Sequence, residues 1–325
     1  MEKYLIMSDS NALYVVVLAG GISHERDVSL RSGRRVADAL VAAGHRVVLR
    51  DPDAGLLPFL ATERPDVVFP ALHGSSGEDG SLLDLLAALG VPAVGSSGSS
   101  ARRAWSKPVA SSLLSDAGVA VPDSIVLSHE AFRELGASSV LRVVRDALEG
   151  DLVVKPASAG SAQGVTIVQD TNDLPRAMVE AFTYDDVAVV ERRVLGTEVA
   201  VAVIDTGDGP VALPAVEIEP TAGVYSFQAR YNAGETTFYA PSRLDASVIA
   251  TASAAAVLAH RTLGLRDLSR VDFIVDDGGQ PWFLEANVLP GLTETSLVPL
   301  AIEASGTDAS TVYSALARRA HSRGV

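Results

Sequence analysis

Residues 270–291 read RVDFIVDDGGQPWFLEANVLPG, and this stretch predicts a β-hairpin with an unusual charge pattern. Two alternating runs flank Gly278 and Gly279, and adjacent glycines suit the positive φ angles of a two-residue hairpin turn. If the two glycines form the whole loop, the register of the hairpin is fixed. The predicted pairs are Arg270 with Asn287, Asp272 with Glu285, and Phe273 with Leu284.

Side chains alternate between the two faces of a hairpin, so this register also predicts which residues share a face. One face is apolar and is predicted to be buried; it carries Val271, Phe273, Val275, Trp282, Leu284 and Ala286. The other face is polar and carries Arg270, Asp272, Glu285 and Asn287. Carboxylates directly opposite each other on neighbouring strands repel, so the polar face needs an explanation.

Two explanations fit the facing acids. A divalent cation between them removes the repulsion, since Mg²⁺ prefers oxygen ligands and keeps room for water and substrate phosphates. Alternatively, the face is solvated and Arg270 neutralises one of the acids.

The bulk composition narrows the class of protein. A chain of 325 residues predicts two or three domains, and 48% hydrophobic with 20% charged residues is typical of a soluble globular protein. A net charge of −14 argues against nucleic acid as a partner, because binding its backbone needs a basic surface. The chain has no cysteine, which excludes disulfides, thiolate metal sites and a cysteine nucleophile.

No stretch of the sequence looks like a targeting or membrane segment. The first residues contain a four-residue apolar run, too short for a signal peptide, and no apolar run approaches the length of a membrane span. We therefore expect a cytoplasmic protein with no membrane partner. Residues 1–12 are predicted to be a mobile extension.

The pattern of strands changes along the chain. From Leu13 onward, buried strands alternate with helices, which favours a doubly wound α/β fold with a parallel sheet. Beyond about residue 150 the strands alternate or meander, which favours antiparallel sheets. The fold class is therefore α/β, with α+β character in the second half.

Several loops carry candidate ligand-binding residues, each with a structural alternative. Residues 158–164 (SAGSAQG) follow Lys155 and suit a phosphate, although a plain hairpin tip would look the same. Glu25 follows the first strand and could hold an amino group or simply favour a helix N-terminus. His73, Glu78 and Asp79 show no complete zinc or protease spacing.

Two further acids, Glu191 and Glu198, flank a predicted strand end. Acids in such a place can bind ribose hydroxyls or an adenine amine, but surface acids are common in an acidic protein. The sequence carries neither the Walker nor the Rossmann glycine pattern.

Seven segments in order resemble the D-alanine–D-alanine ligases of the ATP-grasp superfamily, from Leu13 to the last predicted helix. They are GGISHERDVSL (20–30), LHGSSGEDG (72–80), VVKPASAGSAQGV (153–165), VERRVLGTEV (190–199), RYNAGETTFYAPSRL (230–244), RVDFIVDDGG (270–279) and LEANVLPGLTETSLVP (284–299).

The resemblance implies an ATP-grasp architecture. After the extension it implies an N-terminal α/β substrate-binding domain at 13–106, a central lid domain at 107–190 and a C-terminal ATP- and metal-binding domain at 191–325. It also implies the homodimer that is common in the family.

The resemblance implies a reaction as well. ATP phosphorylates the carboxylate of one D-alanine, and the amine of a second D-alanine displaces phosphate. Two Mg²⁺ (or Mn²⁺) ions would be held by Asp272, Glu285 and Asn287, which would also explain the facing acids.

The other roles implied by matching positions are as follows. ATP would contact Lys107, Lys155, Glu191, Arg192, Val194, Glu198 and Arg230. The catalytic and substrate-binding residues would be Glu25, His73, Ser161, Tyr231, Arg270, Gly291, Ser296 and Leu297.

The sequence departs from the family at several positions. Ala159 and Ala162 replace the usual glutamate and serine, Arg192 and Arg230 replace lysines, and Arg102 and Arg103 lie where small residues are common. The altered loop keeps open the alternative of a ligase for other D-amino acids. A nucleotide-binding module without catalysis is a further alternative, which the loss of Asp272, Glu285 or Arg270 would support, but all three are present.

Overall fold

A computed structural model describes residues 12–221, 223, 225, 229–230 and 234–325. Within these ranges the chain forms three separate sheets. No helix in the described ranges combines the length and apolarity that crossing a membrane requires. Residues 1–11 of the predicted extension, and the predicted substrate residue Tyr231, lie outside the described residues.

The first sheet is parallel, with strand order β2-β1-β3. Short buried runs form β1 and β3, as the sequence predicts for a sheet covered on both faces, whereas only Val47 is buried in the edge strand β2. Its strands are β1 (Tyr14–Leu18), β2 (Arg46–Arg50) and β3 (Val67–Pro70). Its helices are α1 (Arg26–Ala42), α2 (Leu56–Glu63), α3 (Ser75–Glu78) and α4 (Ser81–Ala88).

Two helices lead away from the first sheet: α5 (Gly98–Trp105) and α6 (Lys107–Asp116). Pro108 lies in the first turn of α6, where the missing N–H of proline costs no hydrogen bond.

The second sheet is antiparallel, with strand order β4-β7-β5-β6. Its strands are β4 (Ser124–Ser128), β5 (Leu152–Pro156), β6 (Thr166–Val168) and β7 (Val187–Arg192). Its helices are α7 (His129–Glu134), α8 (Ala137–Ala147) and α9 (Leu174–Ala181), the last preceded by a 3-10 turn at Thr171–Asp173.

The third sheet is also antiparallel, with strand order β11-β10-β8-β12-β13 and β9 paired to β8. Its strands are β8 (Thr197–Ile204), β9 (Val211–Ala212), β10 (Val216–Pro220), β11 (Thr236–Tyr239), β12 (Leu268–Val275) and β13 (Pro281–Asn287). Its helices are α10 (Ala246–Thr262), α11 (Leu297–Ala304) and α12 (Ala309–Arg323). The predicted change from a parallel to antiparallel sheets is confirmed.

The hydrophobic core is divided unevenly among the sheets. Two clusters of buried side chains each combine residues of the first and third sheets, for example Val16 with Phe273 and Phe69 with Val216. A third cluster lies entirely within residues 125–190, around the second sheet. The second sheet therefore has a core of its own. The predicted domain boundaries remain predictions.

The predicted hairpin exists as β12 and β13, but its loop has three residues, 277–279, rather than two. The carbonyl of Asp276 accepts the N–H of Gly279 at 2.9 Å, and Gly279 has a φ of 79°. This is the three-residue loop that needs a left-handed residue at its end.

The extra loop residue shifts the strand pairing by one position, and an irregularity in β13 shifts it back. Phe273 pairs with Phe283 instead of Leu284, whereas Asp272 pairs with Glu285 as predicted, so the register shifts between Asp272 and Phe273. Leu284 is thus the extra residue of a β-bulge. The predicted buried positions of Trp282 and Leu284 were wrong, because the bulge moves Phe283, which is 1% exposed, into the core.

Candidate active site

Two adjoining cavities lie where the three sheets meet. The first cavity has a volume of about 450 Å³ and the second about 460 Å³. Five residues line both cavities. The two cavities are therefore neighbours and not separate sites. These shared residues are Lys107, Ala159, Tyr225, Arg230 and Glu285.

The first cavity is lined by most of the predicted substrate residues. They come from the loops after β1 and β3, the loop after β5, strand β12 and the segment after β13. The structure brings together Glu25, His73, Ser161, Arg270, Gly291, Ser296 and Leu297. Their roles remain predictions, but residues far apart in the sequence line one cavity.

Glu25 lies just before the first turn of α1 and accepts a short hydrogen bond from the Ser161 hydroxyl. Asp51 holds the loop between β1 and α1, in which Glu25 lies. The Asp51 carboxylate accepts the N–H of Gly21 at 2.9 Å and forms an ion pair with Arg26 at 2.5 Å. Gly20 has a φ of 113°, which side-chain-bearing residues rarely adopt, and a Cβ there would lie 2.6 Å from the Asp51 carboxylate, so the position favours glycine.

His73 is buried, and both of its ring nitrogens have partners within the protein. Nδ1 lies 3.1 Å from the carbonyl oxygen of Leu289, and Nε2 lies 3.3 Å from the hydroxyl of Ser32. Burial lowers the pKa of His73, which favours a neutral ring that donates from Nδ1. His73 therefore ties the loop after β3 to the segment after β13.

Protein cations face both acids of the hairpin. Arg270 donates two hydrogen bonds to Asp272, at 2.8 and 2.7 Å, and both side chains are buried. Lys107 lies 3.4 Å from Glu285. Burial alone would raise the pKa of Glu285, but four nearby cations together lower it to about 2; they are Lys107, Arg230, Arg270 and Lys155.

These contacts correct the simplest reading of the hairpin. On the polar face Arg270 and Asp272 are buried and Arg270 neutralises Asp272, whereas the Glu285 side chain is 24% exposed. Magnesium is thus not needed to explain why Asp272 and Glu285 face each other in the structure.

The chemistry of the same residues nevertheless fits a magnesium ion. Asp272 and Glu285 are paired across the strands, and Asn287 follows on the same side of β13; all three offer hard oxygen atoms. Within the described residues, no group of three or more His, Cys, Asp or Glu side chains is gathered in a way that could hold a metal alone. Phosphate oxygens and water would therefore have to complete the coordination, which is how Mg²⁺ is commonly bound.

The second cavity is lined by residues of the second and third sheets. Val153 and Ile167 line it from the second sheet, and Ile274 and Leu284 line it from the third. A cavity that combines apolar walls with a few polar side chains suits a planar heterocycle. The predicted ATP residues that line this cavity are Lys107, Lys155, Glu191, Arg192, Val194, Glu198 and Arg230.

Lys155 and Glu191 form a buried ion pair in the second cavity, with Nζ and Oε1 2.8 Å apart. Lys107 instead donates to the backbone carbonyl of Ala159 at 2.6 Å. Burial raises the pKa of Glu198 to about 7, although Arg230 opposes the shift. The two lysines thus lie in the cavity lining and are held by acceptors of the protein itself.

Sequence reasoning gave no role to several residues of the first cavity. Glu78 was noted only as part of an incomplete metal pattern, and Arg31, Trp105 and Tyr225 were not considered. The position of Glu78 four residues after Gly74, in a loop that follows a parallel strand, is the signal that could have pointed to it.

Comparisons with known proteins agree on one family. Residues 113–317 match the family described as D-ala D-ala ligase C-terminus. A D-alanine–D-alanine ligase from Anaeromyxobacter sp. (strain Fw109-5) is 44% identical over 88% of this chain and 89% of its own length. One from Bordetella petrii is 40% identical over 92% of this chain and 89% of its own.

Solved structures show the same similarity. The VanG D-Ala:D-Ser ligase from Enterococcus faecalis superposes with a TM-score of 0.82 at 27% identity, covering 95% of this chain and 99% of that one. The D-alanine–D-alanine ligase from Bacillus anthracis complexed with ATP gives a TM-score of 0.80 at 27% identity, covering 95% and 97%.

Proposed function

This chain belongs to the D-alanine–D-alanine ligase family, and we propose that it joins two D-alanine molecules to D-alanyl-D-alanine, with ATP converted to ADP and phosphate. The product would serve peptidoglycan precursor synthesis in the cytoplasm. We also propose a homodimer, which light scattering of the purified protein would check.

One observation carries the proposal beyond family membership. The predicted substrate residues line the first cavity and the predicted nucleotide residues line the second, and Lys107, Arg230 and Glu285 line both. A phosphoryl group passing from a nucleotide to a carboxylate would have to cross this shared wall. Two cations and one acid at such a crossing suit charge neutralisation during phosphoryl transfer.

The first step activates the carboxylate of the first D-alanine. Glu25 would bind its ammonium group, and Lys107 and Lys155 would turn from their present acceptors toward the phosphates of ATP. A free carboxylate is a poor electrophile, so its phosphorylation creates a leaving group. The protein contributes mainly position and charge to this step.

The second step forms the amide. The amine of the second D-alanine attacks the acyl carbon, the C–N bond forms, and phosphate leaves with the electrons of the C–O bond. Arg270 and the N–H of Gly291 would stabilise the oxyanion. Ser296 precedes α11, so the helix N-terminus and the Leu297 N–H would favour the second carboxylate there.

Magnesium would be held by Asp272, Glu285 and Asn287, and when bound it would neutralise the charge that develops on the phosphates. Asp272 would keep its contact with Arg270, because a carboxylate has about four lone-pair sites for acceptor contacts. The ion pair would thereby couple the metal ligand to the oxyanion-binding arginine.

A product assay tests the proposal. The purified protein is incubated with ATP, Mg²⁺ and single or paired D- and L-amino acids, and the products are identified by mass. We expect D-alanyl-D-alanine and stoichiometric phosphate from D-alanine alone. A dipeptide only from another pair would favour a different ligase, and nucleotide binding without phosphate release under any condition would favour a non-catalytic module.

A further inference from the structure

Glu78 is a buried acid in the first cavity to which the mechanism above gives no role. It is 7% exposed and ends the short helix α3, in the loop region that follows β3. Its neighbours in the cavity lining include Glu25, His73 and Arg270. A carboxylate buried to this degree is costly unless it is paired or protonated.

The hydrogen bonding of Glu78 is incomplete. Oε1 accepts the backbone N–H of Gly74 at 3.0 Å. Within the described part of the chain, Oε2 accepts no hydrogen bond. An ionised carboxylate can accept about four, so Glu78 has acceptor capacity left at the wall of the cavity.

Glu25 lies on the other side of Gly74. A Cβ built on Gly74 would lie 3.5 Å from Oε2 of Glu25, while the N–H of the same residue is bound by Glu78. The two acids therefore flank one residue without a side chain. Gly74 has a φ of 77°, and the Ser23 side chain lies nearer still to its Cβ position, with Cβ at 3.1 Å and Oγ at 3.4 Å.

The charged and titratable groups around Glu78 come from four parts of the chain. Burial raises the pKa of Glu78 to about 8, and the charge of Glu25 adds to the shift. Glu285 on β13 acts in the same direction, and Arg270 on β12 opposes it. Burial lowers the pKa of His73, on the loop after β3.

We propose that Glu78 is a second carboxylate ligand for the ammonium group of the first amino acid, which it would reach together with Glu25 from the lining of the first cavity. This inference rests on the proposed function, since it assigns a residue to the same substrate site. An ammonium group has three donors, and Glu25 already accepts the Ser161 hydroxyl. Two acids with a cation between them no longer repel each other.

The proposal has a consequence for proton balance. Because burial raises the pKa of Glu78 to about 8, we expect a proton on Glu78 in the free protein at pH 7, and we expect the bound ammonium to favour its carboxylate form. The proton of the Glu78 carboxyl group therefore passes to solvent when the substrate binds, while the substrate keeps all three ammonium protons. Binding of the first D-alanine should be linked to the release of about one proton.

Calorimetry measures this release without any variant. D-Alanine is titrated at pH 7 into the protein saturated with Mg²⁺ and a non-hydrolysable ATP analogue, in two buffers of different ionisation enthalpy. We expect a buffer-dependent heat equivalent to roughly one proton for the first site. A heat that is independent of the buffer overturns the proposal.

Glu78→Gln separates the charge of Glu78 from its structural contact, because the amide oxygen can still accept the Gly74 N–H. We expect the KM of the first D-alanine to rise about tenfold or more, with proton release abolished and the KM of the second D-alanine within twofold. Glu134→Gln, an exposed acid on α7, controls for the loss of one negative charge. Wild-type values in Glu78→Gln would overturn the proposal.

The experiment distinguishes failure of the inference from failure of the proposed function. If the wild-type protein forms no dipeptide and binds no D-alanine, the proposed function fails. If the wild-type protein forms dipeptide and Glu78→Gln behaves like it, only the role of Glu78 fails. Should Glu78→Gln not fold by circular dichroism, the proton release of the wild-type protein decides the question.

Discussion

At the scale of single residues, the ion pair between Lys155 and Glu191 should stabilise the folded protein, and both residues also line the cavity proposed to bind the nucleotide. Each side chain is only 9% exposed, so neither charge has full access to water. Each depends on the other for compensation of its lost hydration. A nucleotide phosphate that drew Lys155 away would leave Glu191 without this partner, unless the adenine amine bound it.

Lys155→Met should therefore destabilise the protein. It leaves Glu191 buried and unpaired, and we expect the free energy of unfolding to fall by about 3–5 kcal/mol. Urea denaturation at pH 7 measures this. The matched control is Arg102→Ala, which breaks a pair with Asp84 that is about half exposed (51% and 52%) and should cost less than about 1 kcal/mol. Equal losses would contradict this reasoning.

Two positions where the sequence departs from the family have structural explanations. Arg103 donates to the carbonyl of Leu263 at 2.8 and 3.1 Å and so caps the C-terminal end of α10. The guanidinium of Arg192 lies 5.6 Å from the ring centroid of Trp282, a cation–π contact. Both partners are far away in the sequence, so neither contact was predictable from local patterns.

At the scale of elements, the hairpin of β12 and β13 shows what periodicity can and cannot predict. Alternation identified both strands and four of the six buried positions, and the pairing of Asp272 with Glu285 was right. The bulge at Leu284 was not predictable, because a bulge adds one residue without a sequence signal as clear as that of a turn. Because of the bulge, Phe283 is buried on the core face and Trp282 lies on the opposite face.

The contact between α10 and β12 contains a buried histidine that should make stability depend on pH. Nδ1 of His260 lies 2.7 Å from the hydroxyl of Ser269, and burial lowers the pKa of His260 to about 4 from its ordinary 6.5. The unfolded chain therefore binds a proton below about pH 6.5 that the folded protein does not accept until about pH 4.

The stabilisation from a neutral His260 is thus present above pH 6.5 and is lost progressively as the pH falls toward 4. We expect about 3 kcal/mol of pH-dependent stability over this range from this residue. Urea denaturation at pH 7.0 and 4.5 measures the total change. His260→Gln, which cannot gain a proton, should show a smaller fall than the wild-type protein; an identical fall would refute the assignment.

At the scale of the whole molecule, sequence reasoning predicted the order of sheets but not the site they form. The change from parallel to antiparallel strands follows from burial patterns along the chain. The meeting of Glu25, Ser161 and Arg270 at one cavity does not, because it depends on how three sheets pack together. Only the resemblance to a known family placed these residues in one site.

The separate core of the second sheet predicts a separate unit of unfolding. Residues 124–192 should lose amide protection in native-state hydrogen exchange together, and at lower free energy than the first and third sheets. Those two sheets share their clusters of buried side chains and should open as one.

An ATP analogue with Mg²⁺ should raise the protection of residues 124–192 most, because the second cavity lies between the second and third sheets. The measurement is hydrogen exchange with and without the analogue. Uniform exchange free energies across all three sheets would show that the separate core does not act as a unit.

The loop and the bulge of the hairpin have a consequence for variation in length. The extra loop residue and the extra strand residue offset each other, and the acids meet only because both are present. A variant that loses one of them would rotate Glu285 away from Asp272 and disable the site. Insertions and deletions in this hairpin should therefore survive, in nature or in engineering, only as compensating pairs.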